Sequence, residues 1–317
     1  MKHRVAIVGA GVSGLTCGVV FAEVGYQTAI FAKEIGRQTN SGAAAALWFP
    51  YDVEPAGKVI PWALETRRAL IELARNPDSG VSMIELRQFS RTGEIQIPDW
   101  AIPVGAQAVN PTGASLKFFK SGFSLRVPLM DTTIYLDYLT ARFRKAGGET
   151  NANVCLKKLE DVDPKFDLVI NCAGIGAREL LRDAGLESHR GQVAIVPRIN
   201  DLPYAVVCDD APLMYAIPRR NDCVLGGTNE LSNSLAVDSA TTAQIVAECS
   251  RVLTLHALQV VAERVGLRPF RRSGVRVERD RLRDGRTVVH NYGHGGSGFT
   301  LSWGCAHDVR ALADLLG

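Results

Sequence analysis

No two cysteines in this 317-residue chain are spaced Cys-x-x-Cys, and the seven that occur, scattered from Cys17 to Cys305, are an odd number. That argues against a zinc ribbon or a disulfide framework, leaves no metal site to expect, and fits thiols kept reduced in a cytosol. Charge of one sign is also lacking. The net charge of +3 is too small to point to nucleic acid. No apolar run has the length and purity of a transmembrane span, and no internal repeat is visible. Lys2, His3 and Arg4 precede an apolar stretch reaching Ala22, as a signal peptide would, but the glycines inside it have another explanation. The last residues, Ala-Asp-Leu-Leu-Gly, do not form the peroxisomal address. A cytoplasmic protein without a membrane or nucleic-acid partner is therefore expected. Ordinary globular composition (46% hydrophobic, 22% charged) and the length suit roughly two domains of about 150 residues each.

Glycine, by contrast, is concentrated. Residues 4–8 (RVAIV) read as a short buried strand. Gly9-Ala10-Gly11-Val12-Ser13-Gly14 follows as G-x-G-x-x-G, and Leu15, Val19, Ala22 and Val24 continue at helical spacing to a C-cap at Gly25. In that setting the three glycines serve a tight turn, the approach of a pyrophosphate, and close helix–strand packing. The helix N-terminus offers N–H groups and a positive dipole end to phosphate. Residues 27–34 read as the next strand. Glu34 is the candidate acid for ribose hydroxyls, while Lys33 would suit an extra 2′-phosphate. The motif predicts a dinucleotide and does not separate FAD from NAD(P).

A further strand is predicted at 167–174 (DLVINCAG), ending in a small-residue turn suited to passing beneath a cofactor, with a helix from near Ala177. Helices are predicted over 62–75 and 131–146, the second with Asp131 as N-cap. Residues 191–230 alternate like an antiparallel sheet, and strands at 275–279 and 287–291 suggest a hairpin about Arg283-Asp284-Gly285. The expected fold class is α/β: a discontinuous Rossmann-like dinucleotide-binding domain (1–50, 128–190 and 270–317), the FAD-binding domain of the resemblance given below, plus an antiparallel-sheet substrate domain (51–127 and 191–269).

The densest glycine lies at 288–304, VVHNYGHGGSGFTLSWG, with Gly293, Gly295, Gly296, Gly298 and Gly304. Leu301, Cys305, Val309, Leu312, Leu315 and Leu316 then form a helical face that Thr300 or Ser302 would cap. A second helix N-terminus suits another electron-rich part of the same ligand. In a flavin that is N1–C2=O, anionic when reduced, and a helix dipole there is worth up to ~2 kcal/mol. Arginines bunch from Arg264 to Arg286, a run that normally solvates a face and leaves room for one buried, paired member.

Together with AAALWFPY (44–51), VINCAG (169–174), RGQV (190–193), VLGG (224–227) and GLRPFR (266–271), these segments resemble the D-amino acid oxidase and D-aspartate oxidase family from end to end. HNYGHGGSGFTLSWG (290–304) is the most specific of them. The resemblance implies an FAD-dependent oxidase of free D-amino acids. The substrate Cα hydrogen leaves as hydride to flavin N5, the imino acid hydrolyses to a 2-oxo acid and ammonia, and molecular oxygen is reduced to hydrogen peroxide. A homodimer is the oligomer the family suggests. Residue by residue, Arg268 matches the arginine whose fork clamps the substrate carboxylate, Tyr215 the tyrosine on the same carboxylate, and Gly296 the glycine whose carbonyl receives the amine. Gly295, Gly296, Gly298, Phe299 and Thr300 match the loop around the flavin ring. Gly9, Ala10, Gly11, Val12, Ser13 and Gly14 take the pyrophosphate side. Glu34, Thr39, Asn40, Ser41, Leu47, Val154 and Gly174 are further cofactor candidates. This chemistry needs no side-chain base, being mostly orientation and exclusion of water, so His290 and His294 read as packed or hydrogen-bonded histidines.

The chain also departs from that family. Glu34 follows Lys33, the reverse of the usual acid-then-base order. Only six residues separate Cys208 from Tyr215, so the longer lid of eukaryotic members is missing. Phe49 stands where vertebrate enzymes have glutamine and Ser297 where they have tyrosine, which alters the side-chain pocket. No arginine is assignable to a second substrate carboxylate, although Arg219 and Arg220 are close in sequence to Tyr215. This favours neutral, apolar D-amino acids over D-aspartate. The alternatives are a flavin oxidase of glycine or N-alkyl amino acids, a D-aspartate oxidase, an NAD(P)-dependent dehydrogenase, and a flavoprotein that binds without turnover.

Overall fold

A computed structural model describes residues 4–51, 53–111 and 117–315. The chain runs β1 (Arg4–Ala10), α1 (Val12–Glu23), β2 (Gln27–Ile35), α2 (Ala56–Leu73), β3 (Val81–Ser90), β4 (Gln107–Val109) and β5 (Ser121–Met130). Then come α3 (Thr132–Lys145), β6 (Glu149–Asn151), β7 (Leu168–Asn171), α4 (Ala177–Leu181), β8 (Leu186–Pro197), β9 (Ala205–Cys208) and β10 (Met214–Pro218). It closes with β11 (Asp222–Gly226), β12 (Glu230–Leu231), α5 (Ser239–Leu253), β13 (Ala262–Arg271), β14 (Arg276–Arg281), β15 (Thr287–Tyr292) and α6 (Gly298–Asp314). Among the described residues no helix is long and apolar enough to cross a membrane.

Six strands form one sheet in the order β14-β15-β7-β1-β2-β6. All neighbours are parallel except the β14–β15 hairpin, whose register pairs Arg276 with Tyr292. β1 and β7 read as unbroken apolar runs because parallel sheets are covered on both faces. α1 covers one face and is buried along most of its length. Its small residues allow this: a Cβ on Gly14 would lie 2.0 Å from the Gly9 carbonyl oxygen, and one on Gly18 would lie 3.0 Å from the Phe143 ring. α3 begins as expected, with Asp131 Oδ1 accepting from the Thr133 amide at 3.0 Å.

The second sheet follows the order β12-β8-β11-β10-β9-β3-β5-β4, with β13 paired along β8. It is not wholly antiparallel, as the alternation over 191–230 suggested: β3 and β9 run parallel, Leu86 beside Ala205 and Gln88 beside Val207. β3 comes from a distant part of the chain, so its direction is not written in that alternation. Other local expectations shift. The helix predicted at 62–75 starts at Ala56, because its first residues, Ala56 to Lys58, are exposed and leave no apolar rhythm to read. The strand predicted at 167–174 is β7 alone, and the residues after Asn171 already turn. α6 starts at Gly298, ahead of the caps proposed for it. Ser302 sits inside the helix and donates to the Phe299 carbonyl.

Candidate active site

One cavity of about 960 Å³ opens between the two sheets, and most of the residues singled out in the sequence line it. Gly9, Ala10, Gly11, Val12 and Ser13 bring in the start of α1. Glu34 and Lys33 come from the end of β2, Thr39, Asn40, Ser41 and Leu47 from the segment after it, and Val154 and Gly174 from beside β6 and β7. Gly295, Gly296, Gly298 and Phe299 come from the approach to α6. From the other sheet come Arg268 on β13 and Tyr215 on β10, and Phe49 joins them.

Two helix N-termini therefore meet at this cavity. Neither N-cap residue, Gly11 or Ser297, caps its own helix; in the first turn of α1 the Val12 amide is taken by Ser41 Oγ, and the dipole ends of both helices face the cavity, as suits an anionic or electron-rich ligand. They stand side by side, since a Cβ on Gly298 would lie 3.6 Å from Val12 Cγ1. Gly9 has φ +104°, and a Cβ there would collide with the Cys172 carbonyl oxygen at 2.3 Å. Glycine is thus required where the turn crosses the end of β7. Ser41 Oγ accepts from the Val12 amide at 3.0 Å, and a Cβ on Gly11 would stand 2.9 Å from that oxygen. Bare backbone is the surface a pyrophosphate needs, so these residues fit an FAD.

Three of the expected residues lie outside the cavity wall. Gly14 faces β1, in the packing role its position in the motif describes. Thr300 is buried; its hydroxyl donates to the Phe49 carbonyl at 3.0 Å and accepts from the Phe49 amide at 3.1 Å. Ser297 does the same with Tyr51, at 2.6 and 2.9 Å. These two hydroxyls hold the 49–51 segment against α6.

The end of the cavity that holds Arg268 and Tyr215 is built by clearance. β13 pairs along β8 from Leu186 to Ile195, with Arg268 opposite His189 and Gly266 opposite Gly191. The guanidinium folds over Gly191, where a Cβ would lie 2.5 Å from Nη2. Arg268 Nη1 donates to the Thr228 carbonyl at 2.9 Å and approaches Asn229 Oδ1 at 3.3 Å. Tyr215 pairs with Gly226 on β11, and a Cβ on Gly226 would lie 2.0 Å from the ring carbon Cζ. The glycines of RGQV and VLGG are thus the floor on which Arg268 and Tyr215 rest. Burial pushes the Tyr215 phenol upward, with the Arg268 charge opposing, so the hydroxyl stays protonated and able to donate. The loop before α6 is tied to the same strand: the Gly295 amide donates to the Pro269 carbonyl at 2.9 Å.

His294 lines the cavity, with Nε2 2.9 Å from Asn291 Oδ1. His290 Nδ1 lies 3.3 Å from Asn171 Nδ2 outside the wall. Burial lowers both imidazoles to about 4, so both are neutral near pH 7. Arg219 is buried and grips Asp222 through two 2.7 Å bonds, and Arg220 donates to the Pro77 carbonyl; neither reaches this cavity. Several of the late arginines are paired: Arg271 Nε lies 2.8 Å from Asp183, and Arg272, Arg276 and Arg286 also meet carboxylates. Sequence reasoning missed Tyr51, Asn291, Leu213 and Asp209, which also line the wall. Tyr51 was within reach, since it ends the quoted AAALWFPY segment.

The model of the FAD dependent oxidoreductase family matches residues 4–312. The D-amino-acid oxidase of Rubrobacter xylanophilus is 38% identical over 98% of this chain and 95% of its own length. The human D-aspartate oxidase is 31% identical over 98% and 94%. In fold, the chain is similar to glycine oxidase from Geobacillus kaustophilus, with a TM-score of 0.82, 18% identity, and coverage of 99% of this chain and 95% of that one. With a family match over nearly its whole length and full-length relatives of this identity, the chain belongs to the FAD dependent oxidoreductase family.

Proposed function

We propose that this protein is an FAD-dependent D-amino acid oxidase, converting free D-amino acids and molecular oxygen into 2-oxo acids, ammonia and hydrogen peroxide. The observation that carries the reading is the placing of Arg268 and Tyr215 in one cavity with the two helix N-termini. In this reading the parts around the six-stranded sheet hold the cofactor and those around the nine-stranded sheet hold the substrate. FAD, when bound, supplies the acceptor for the electrons lost from the substrate Cα and returns them to oxygen.

The chain's own residues bind and orient. The Arg268 fork takes the α-carboxylate in two parallel charge-assisted bonds, and the Tyr215 hydroxyl donates a third. The Gly296 carbonyl accepts from the amine. A Cβ on Gly296 would lie 2.9 Å from Tyr51 Cδ1 and 3.7 Å from Arg268 Cδ, so a side chain would crowd that spot. No side chain moves the α-proton: His294 is neutral and engaged with Asn291, and orientation in a water-poor site does most of the work. Phe49, set edge-on to Trp100 at 5.5 Å between centroids, helps exclude water. Aliphatic lining and the placing of Arg219 and Arg220 elsewhere disfavour a second carboxylate, so side chains without negative charge are preferred. The seven free thiols suit a cytoplasmic enzyme. Peroxide release with D-alanine, D-valine, D-phenylalanine and D-aspartate, each against its L-enantiomer, tests the reading. Turnover of D-enantiomers with D-aspartate poorest is expected, and turnover confined to glycine or N-methyl substrates would sink it.

A further inference from the structure

Two acids of the cavity wall, Glu179 in α4 and Asp209, have no part in the reaction described above, and Asp209 is the one beside the strands that carry Tyr215. Asp209 follows the end of β9, two residues beyond Val207, and both line the cavity. Val207 pairs with Tyr215 across β9 and β10. Side chains alternate along an extended strand, so the Asp209 carboxylate stands on the same face as the Tyr215 ring, roughly 6–7 Å further along. It is held there. Gln88, buried and beside Val207 on β3, donates Nε2 to Asp209 Oδ2 at 2.7 Å. Among the described residues Asp209 has no ion-pair partner, and no hydrogen bond is recorded to Oδ1. The adjacent Asp210 is different: it is taken up by Ser90, the Arg91 amide and Thr92. Leu86, Val207, Leu213 and Ile217 line the same cavity, giving apolar surface for methylenes.

Resting on the oxidase reading above, we propose that Asp209 determines side-chain specificity, selecting D-amino acids with an aliphatic stem ending in a cation, such as D-lysine, D-ornithine and D-arginine. With the α-carboxylate on Arg268 and Tyr215, a long side chain directed along the sheet face brings its ammonium or guanidinium to Asp209. Asp209 is exposed to the cavity yet hemmed in by protein. That crowding, with Asp210 adding to it, pushes its carboxyl upward, and an arriving cation relieves both effects. The same charge repels an acidic side chain.

The test is the ratio of kcat/KM for D-lysine to that for D-norleucine, which has the same carbon chain without the ammonium, measured on FAD-loaded enzyme. A ratio above about ten is expected in the wild type, falling at least about tenfold in Asp209→Asn. Asp209→Lys should turn the preference toward D-2-aminoadipate. A wild-type ratio at or below one overturns the proposal without any variant, as does a ratio in flavin-loaded Asp209→Asn within about twofold of wild type. Turnover of D-norleucine in either case leaves the oxidase reading standing. Turnover of no D-amino acid at all removes that reading, and this proposal with it.

Discussion

Replacing Gly226 with alanine tests how the site is built. Tyr215 stands over Gly226, and a methyl there would lie 2.0 Å from Cζ, 2.1 Å from Cε2 and 2.5 Å from the hydroxyl oxygen. Carbon atoms rest at about 3.5 Å or more, so the ring must retreat by about 1.5 Å. A ring moving away from β11 enters the space that the proposed function assigns to the substrate carboxylate. A misplacement of about 1 Å in a positioning group costs up to about 100-fold in rate. Gly226 does not have a positive φ, and the added methyl meets the Tyr215 ring first. Overpacking of this kind costs about 1–3 kcal/mol in stability. The expected result is a fall in kcat/KM near 100-fold, read by peroxide release, with flavin content unchanged because no cofactor-wall residue is touched. Tyr215→Phe in the same background should add little to the loss, since the two changes disable one contact. Activity of Gly226→Ala within about threefold of wild type, or losses that simply add, would refute the reasoning.

Two further outcomes concern stability. His290 and His294 are lowered to about 4 by burial, against about 6.5 in an unfolded chain. The unfolded state therefore binds more protons between those values, so their contribution is complete above pH 6.5 and lost as pH falls toward 4, roughly 2 kcal/mol each by pH 5. Urea unfolding at pH 7 and pH 5 checks this, and a chain equally stable at both would contradict it. Asp131→Ala removes the α3 N-cap, leaves Thr133 unpaired at that end and withdraws a carboxylate 3.9 Å from buried Arg219. A loss of at least about 1 kcal/mol is expected in thermal melting, and an unchanged melting temperature would show that the cap contributes nothing.

Elements with local signals were legible in the sequence. The β1 turn and α1 announce themselves through glycine spacing, the Asp131 cap through its position, and the β14–β15 hairpin through Asp284-Gly285. Features set by distant partners were not. Ser297 and Thr300 look like loop hydroxyls beside a flavin, but their partners are 246 and 251 residues away, and those partners decide where the oxygens point. Gly191 and Gly226 were recognisable only as parts of short segments. Their physical role, clearing space for Arg268 and Tyr215, exists only once β13 lies beside β8 and β10 beside β11. Asp209 had no signal of its own, because nothing local shows that the strand face after Val207 lines a cavity.

The central claim is that Arg268 holds the substrate carboxylate. Arg268→Ala, compared with wild type on the best D-amino acid found, addresses it most directly. Losing one partner of such a charge pair costs about 2–5 kcal/mol, so kcat/KM should fall about 30- to 5,000-fold while the protein keeps its flavin. A flavin-loaded Arg268→Ala enzyme with kcat/KM nearly intact would place the carboxylate elsewhere and contradict the account.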